Sequence, residues 1–188
     1  MLTHLRPALT LTLGFTLLTG LAYPLAITGA AQTLFPTQAN GSLIEKDGAV
    51  ISSALIAQPF TNPGYLHPRP SASSYGATPS GASNLGPTNA SLIASVAERR
   101  AAYTAENGAE AAIDAVTASA SGLDPDISPE NGTDQAMRIA TARKVDPAAV
   151  QALITEQIEA PLFGLYGESV VNVLLTNLAL DAAFPLPK

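Results

Sequence analysis

Residues Pro7–Ala31 read PALTLTLGFTLLTGLAYPLAITGAA, and no charged side chain follows Arg6 until Glu45. At about 1.5 Å of helical rise per residue, such a run can cross a hydrocarbon core of roughly 30 Å. A cleaved export signal would also show a basic start, an apolar core and a small-residue exit, here Gly29-Ala30-Ala31. The run outlasts the usual signal core of about 7–15 residues. It also places Tyr23 beside Pro24 at its far end, where an aromatic interface anchor belongs. A retained single span is therefore the preferred reading. His4 and Arg6 precede it, and the acidic domain follows. The positive-inside tendency leaves residues 1–6 in the cytoplasm, 7–31 in the membrane and 32–188 outside. Either reading exports the domain.

The chain's 188 residues are 47% hydrophobic and 13% charged, with a formal charge of −6 and no cysteine. Disulfides, thiolate metal sites and a cysteine nucleophile are excluded. The acidic balance argues against a nucleic-acid partner, which needs a basic footprint. The length after the span suits one domain.

Residues 42–56 are expected to form a hairpin turning at Asp47-Gly48. From Gln58 to Ser91, recurring proline and glycine exclude a long helix or central strand. Phe60, Tyr65, Arg69 and Tyr75 mark this stretch as a structured loop rather than a linker. A helix is expected from Asn89 to Asn107, with Leu92, Ile93, Val96 and Ala97 on one face and a stop at Asn107-Gly108. Ser128-Pro129 starts another helix running toward Arg143, and Asp146-Pro147 a third. The stretch Val170–Leu180, VVNVLLTNLAL, suits a buried strand at first, and from Leu178 onward could equally be helix. The expected class is α+β: one transmembrane helix, then one extracytoplasmic domain with a small sheet and several helices.

Catalytic constellations are sparse. His67 is the one histidine beyond the N-terminal tail, and no Gly-x-Ser-x-Gly elbow accompanies it. Asp124, Asp126 and Glu130 lack the acidic density of a calcium loop. Within VTASASGLDPDIS (Val116–Ser128), Gly122 is expected to permit a turn, Ser128 to cap the next helix, and Asp124 and Asp126 to sit near that helix's positive end. Asn40, Asn89 and Asn131 each open an Asn-x-Ser/Thr triplet, a pattern that also arises by chance. No Walker-type phosphate loop is present. The chain is not expected to be catalytic alone or to bind a cofactor independently. Glycines and threonines in the span, at Gly14, Thr16, Thr19 and Gly20, permit close helix packing, as in a subunit of a membrane complex.

Several segments, in order, resemble one family: RPAL (Arg6–Leu9), YPL (Tyr23–Leu25), QANGSLI (Gln38–Ile44), SALIAQPF (Ser53–Phe60), RPSAS (Arg69–Ser73), SNLGPTN (Ser83–Asn89), VTASASGLDPDIS and VNVLLTNLALD (Val171–Asp181). The chain is similar to the C subunit of the Kdp-type potassium-transporting P-type ATPase. It departs from the family's pattern at Ser53, Ala57 and Ala82, where glycine is typical, and at Leu66, where an aromatic is typical. The resemblance implies a single-span, non-catalytic subunit of a bacterial plasma-membrane complex that imports potassium. Its implied partners are a channel-like potassium-carrying subunit, a P-type ATPase subunit that uses ATP with Mg, a small single-span subunit and membrane lipid. It further implies a catalytic-chaperone role that raises the ATPase subunit's affinity for ATP, with Gln58 matching a glutamine proposed to take part in nucleotide binding. The orientation set by Arg6 puts Gln58 across the bilayer from cytoplasmic ATP, so the expected effect is allosteric. Phe60, Tyr65 and Arg69 are the candidate partner contacts. The alternative is a free-standing exported solute- or ion-binding domain.

Overall fold

The computed structural model describes residues 2–46 and 48–187; of the hairpin's turn pair, Asp47 lies outside the described residues and Gly48 within them. The chain divides into two units, Met1–Ser53 and Ala54–Lys188. In the first, α1 (Leu5–Leu17), a π-helical turn (Leu18–Ala22) and α2 (Tyr23–Leu34) run on as one apolar helix, Leu5–Leu34, with none of its most apolar stretch buried. Its 30 residues are long and apolar enough to cross a membrane. The polar residues in it cost little, because Thr10, Thr19 and Thr33 each donate to the carbonyl four residues earlier. The π turn lies just before Pro24, which has no N–H for the preceding carbonyls. There the Tyr23 N–H donates instead to Leu18 O, five residues back.

After the helix, Phe35 leaves helical geometry before Pro36, and a short α3 (Pro36–Ala39) follows. The expected hairpin is present: β1 (Leu43–Lys46) pairs antiparallel with β2 (Ala49–Ser53). The register moves from Ile44↔Ser52 to Glu45↔Val50, leaving Ile51 as the extra residue of a bulge.

In the second unit, residues 58–88 form no helix or strand. α4 (Ala90–Asn107) begins where Asn89 accepts from the Ser91 N–H and ends at Gly108, left-handed at φ 70°. Its half-buried face is Leu92, Val96, Arg99 and Tyr103, whereas Ile93 and Ala97 are exposed, contrary to the expected stripe. The face turns because Arg99 and Tyr103 find polar partners below, at Val116 O and Asn131. α5 (Ile113–Val116) follows. Next, β3 (Asp126–Ile127), β4 (Ile158–Glu159) and β5 (Val170–Asn172) build a three-stranded antiparallel sheet in the order β3-β5-β4.

The single helix expected after Ser128 is two, α6 (Pro129–Asp134) and α7 (Ala136–Arg143). Gln135 stands between them, buried, with its amide spent on the backbone of His67. α8 (Pro147–Glu156) starts where Asp146 accepts from the Ala148 N–H. The strand expected from Val170 is only three residues long. Asn172 accepts from the Leu175 N–H, and the apolar run continues as α9 (Val173–Ala183). Strands this short supply only Ile127 and Val171 to the buried core, the loop adds Leu66, and helices α7 to α9 supply the rest. Leu66, Ile127, Ile139, Val150, Ile154, Val171 and Leu180 pack together with at most 2% exposure each. The architecture is α+β.

Candidate functional site

The irregular loop and the stretch 116–128 fasten to each other. The Arg69 guanidinium donates to Asp124 Oδ2 at 2.7 Å, and Ser71 Oγ donates to Gly122 O at 2.7 Å. Backbone bonds flank these: Ser119 N–H to Pro70 O at 3.0 Å, Gly81 N–H to Ser121 O at 2.8 Å and Ala57 N–H to Leu123 O at 2.9 Å. Gly122, at φ 71°, sits so close that a Cβ there would strike Ser73 Oγ and come within 2.9 Å of Gly81 O. Asp124 Oδ1 also accepts from the Asp126 N–H, and Asp126 Oδ1 accepts from Asn172 Nδ2. Burial and the Asp124 charge beside it push the Asp126 carboxyl above its ordinary pKa.

A second cluster surrounds His67. Its Nδ1 lies 3.2 Å from Glu106 and its Nε2 3.1 Å from Asn62 O. Arg138, almost wholly buried, reaches Pro63 O at 2.6 Å, Tyr65 O at 2.9 Å and Gln135 Oε1 at 2.6 Å. Burial, followed by the Arg138 charge, holds the imidazole below its usual pKa, so the ring is neutral near pH 7; the Asn62 carbonyl and Glu106 oppose that shift. Below it, Asp114 accepts from the Ser128 N–H, Ser128 Oγ and Asn131 Nδ2 at 2.7–3.0 Å. Ser128 Oγ in turn accepts from the Asn131 N–H at 3.1 Å, capping α6. Tyr103 donates to Asn131 Oδ1 at 3.0 Å, and burial, with Asp134 and Asp114 nearby, pushes its hydroxyl well above the ordinary phenol range.

Of these side chains, His67, Tyr103, Glu106, Asn131 and Gln135 line a cavity of about 170 Å³ between α4 and the loop. Its polar groups are turned on one another, which builds a rigid wall rather than a reactive centre. Asn131 is 1% exposed and hydrogen-bonded on its amide, so its triplet is closed to glycosylation in the folded chain. Neither Arg138 nor Gln135 stood out in the sequence: the loop residues they hold, His67, Tyr65 and Pro63, are 68 to 75 residues away.

The remaining sequence candidates have internal roles. Gln58 is half-buried at the head of the loop, and its carbonyl accepts from the Phe60 N–H. Phe60 packs against the core, with its ring 5.5 Å from that of Tyr65. The Tyr65 hydroxyl donates to Asp181 Oδ2 at 3.0 Å, while the Arg143 guanidinium lies 5.0 Å from its ring centroid. Arg143 itself is 3% exposed and bonds Gly64 O, Leu180 O, Phe184 O and Asp181 Oδ1. Leu66, at a position where the resembling family has an aromatic, is fully buried in the core.

The sequence model of the family described as KdpC, the c chain of the K+-transporting ATPase, matches residues 5–182. The chain is 61% identical over 183 residues to the potassium-transporting ATPase KdpC subunit of Cereibacter sphaeroides strain ATCC 17029, covering 97% of this chain and 99% of that protein. Against the subunit of the same name from Caulobacter vibrioides strain NA1000, identity is 56% over 189 residues, covering 98% and 96%. Against that from Gemmatimonas aurantiaca it is 52% over 187 residues, covering 97% and 94%.

Proposed function

Because the chain belongs to the KdpC family, the c chain of the K+-transporting ATPase, we propose that it is a non-catalytic accessory subunit needed for assembly, raising the ATP affinity of the ATPase subunit from across the membrane. The supporting observation is that the family match runs without a break over both the 30-residue apolar helix and the folded unit. In this reading the helix stays in the bacterial inner membrane among lipids, with Arg6 on the cytoplasmic side and the α+β unit outside. The partners are the channel-like potassium-carrying subunit, the ATPase subunit that hydrolyses ATP with Mg, and the small single-span subunit.

A domain outside the cell changes ATP affinity only by binding one conformation of its partners better than another. A tenfold effect needs about 1.4 kcal/mol of such preference. Gln58 then acts through the loop it heads rather than on nucleotide. The test is mild-detergent purification of the tagged full chain with its partners, followed by ATP titration and photolabelling with azido-ATP. Co-purification, a higher KM for ATP without this chain and label on the ATPase subunit alone are expected. Recovery of the chain by itself, trimmed after Ala31, would leave a free exported domain. Label at Gln58 would replace allostery with direct contact.

A further inference from the structure

The turn joining β4 to β5 is unlike the polar loops of a soluble surface. Leu162, Phe163, Leu165 and Tyr166 are 64%, 84%, 80% and 70% exposed within seven consecutive residues that carry no charge, Pro161–Gly167. An apolar cluster of this kind marks an interaction site. The turn holds its own shape. Leu162 and Tyr166 exchange backbone hydrogen bonds at 3.0 and 3.1 Å, and the Gly164 N–H donates to Pro161 O at 2.8 Å. Phe163 lies in the left-handed region at φ 54°, an unusual conformation for so bulky a residue. The result is a short finger with aromatic and aliphatic side chains presented outward.

Charge selects among occupants. Glu159 and Glu168 flank the finger, both exposed. Between Lys144 and Lys188 the sequence has no lysine, arginine or histidine, while Asp146, Glu156, Glu159, Glu168 and Asp181 are all acidic. A second copy of the chain would bring like charges together, and an anionic lipid surface would repel the same flanks. An apolar pocket rimmed by lysine or arginine on another protein satisfies both the finger and its border. Resting on the subunit reading above, we propose that the Pro161–Gly167 finger docks into such a basic-rimmed apolar pocket on another protein of the ATPase complex.

The experiment uses the full chain in its native complex, with a benzophenone photocrosslinker built into the side chain at position 163. Unsubstituted chain is purified first; its failure to bring partners down would sink the subunit reading, independently of the finger. Given co-purification, ultraviolet irradiation should yield an adduct with a partner protein, mapped beside lysine or arginine. An adduct with lipid or with a second copy, or no adduct, overturns the proposal. In parallel, Phe163→Ser with Leu165→Ser should weaken retention of the chain in the complex by about 30-fold, the loss typical of an aromatic anchor, while leaving its thermal melting unchanged. Glu168→Lys should weaken retention as well. Unaltered retention in both variants would count against the finger, and unaltered retention in Glu168→Lys alone against the basic rim.

Discussion

Arg69 and Asp124 meet at 2.7 Å across 55 residues of sequence, and their side chains are 26% and 30% exposed. This pair and the Ser71–Gly122 bond hold a loop with no helix or strand of its own against the stretch that leads into α6. Ordering such a loop costs about 1–2 kcal/mol of backbone entropy per residue, so each fastening counts. A partly exposed ion pair contributes about 1 kcal/mol at most. The shape therefore comes from several weak staples together, not from one.

Substituting Asp124→Asn and Arg69→Gln singly and together should give a coupling of about 1 kcal/mol in a double-mutant cycle on thermal unfolding. Hydrogen exchange should rise across residues 69–81 before any global melting. ATP hydrolysis by the assembled complex should be nearly unchanged by Asp124→Asn or Asp126→Asn. Loss of hydrolysis from a fully assembled complex would give these carboxylates a direct role.

Gly122 and Gly81 sit on the two sides of the same contact and should respond unequally. At Gly122 a Cβ meets Ser73 Oγ, Gly81 O and Ser71 Oγ in a left-handed backbone; at Gly81 it meets nothing within 4 Å. Gly122→Ala should destabilise by roughly 1–3 kcal/mol, whereas Gly81→Ala should stay within about 0.5 kcal/mol of the parent. Equal melting temperatures for the two variants would show that the loop is not docked there.

The parts of this fold visible in the sequence are those set by near neighbours. The uncharged run before Glu45 makes the apolar helix, Asn89 and Asp146 cap the helices they precede, and the hairpin follows from short apolar runs around Gly48. Where a distant partner decides, local pattern misleads. Val170–Leu180 is rich in β-branched residues, yet Asn172 bonds Asp126 and Ala54 O while capping α9, so the strand stops after three residues. Gln135 reads as an ordinary helix residue and instead separates two helices to reach His67. The His67 cluster was hidden for the same reason, since Glu106, Gln135 and Arg138 come to it from α4, the α6–α7 junction and α7.

Burial and Arg138 depress the His67 pKa, which gives the fold a pH dependence of definite sign. The unfolded chain binds the proton at about pH 6.5, the folded chain only at lower pH. Below about 6.5 the unfolded state therefore holds more protons, and stability falls as the solution is acidified. Between pH 7.5 and 5.5 the parent should lose more melting temperature than His67→Gln, whose side chain cannot titrate. Identical losses would mean the imidazole is not held neutral.

The largest single-residue effect is expected at Arg143. Its guanidinium is buried and spends its donors on three backbone carbonyls and Asp181, fastening α7 to Gly64 in the loop and to the end of α9. No point charge reproduces that fork, because a lysine ammonium cannot span Gly64 O and Phe184 O at once. Arg143→Lys should thus recover little, and Arg143→Met should leave Gly64 O and Phe184 O without their donor and Asp181 with Tyr65 alone, costing roughly 3–5 kcal/mol. A marginally stable domain would lose its cooperative melt altogether. The companion Asp181→Asn keeps its amide oxygen as the acceptor for Arg143 and turns its NH2 toward Tyr65, whose hydroxyl can accept instead of donate, so it should cost less, about 1–2 kcal/mol. If Asp181→Asn proved as damaging as Arg143→Met, the charge pair rather than the carbonyl clasp would be what holds the C-terminal helix.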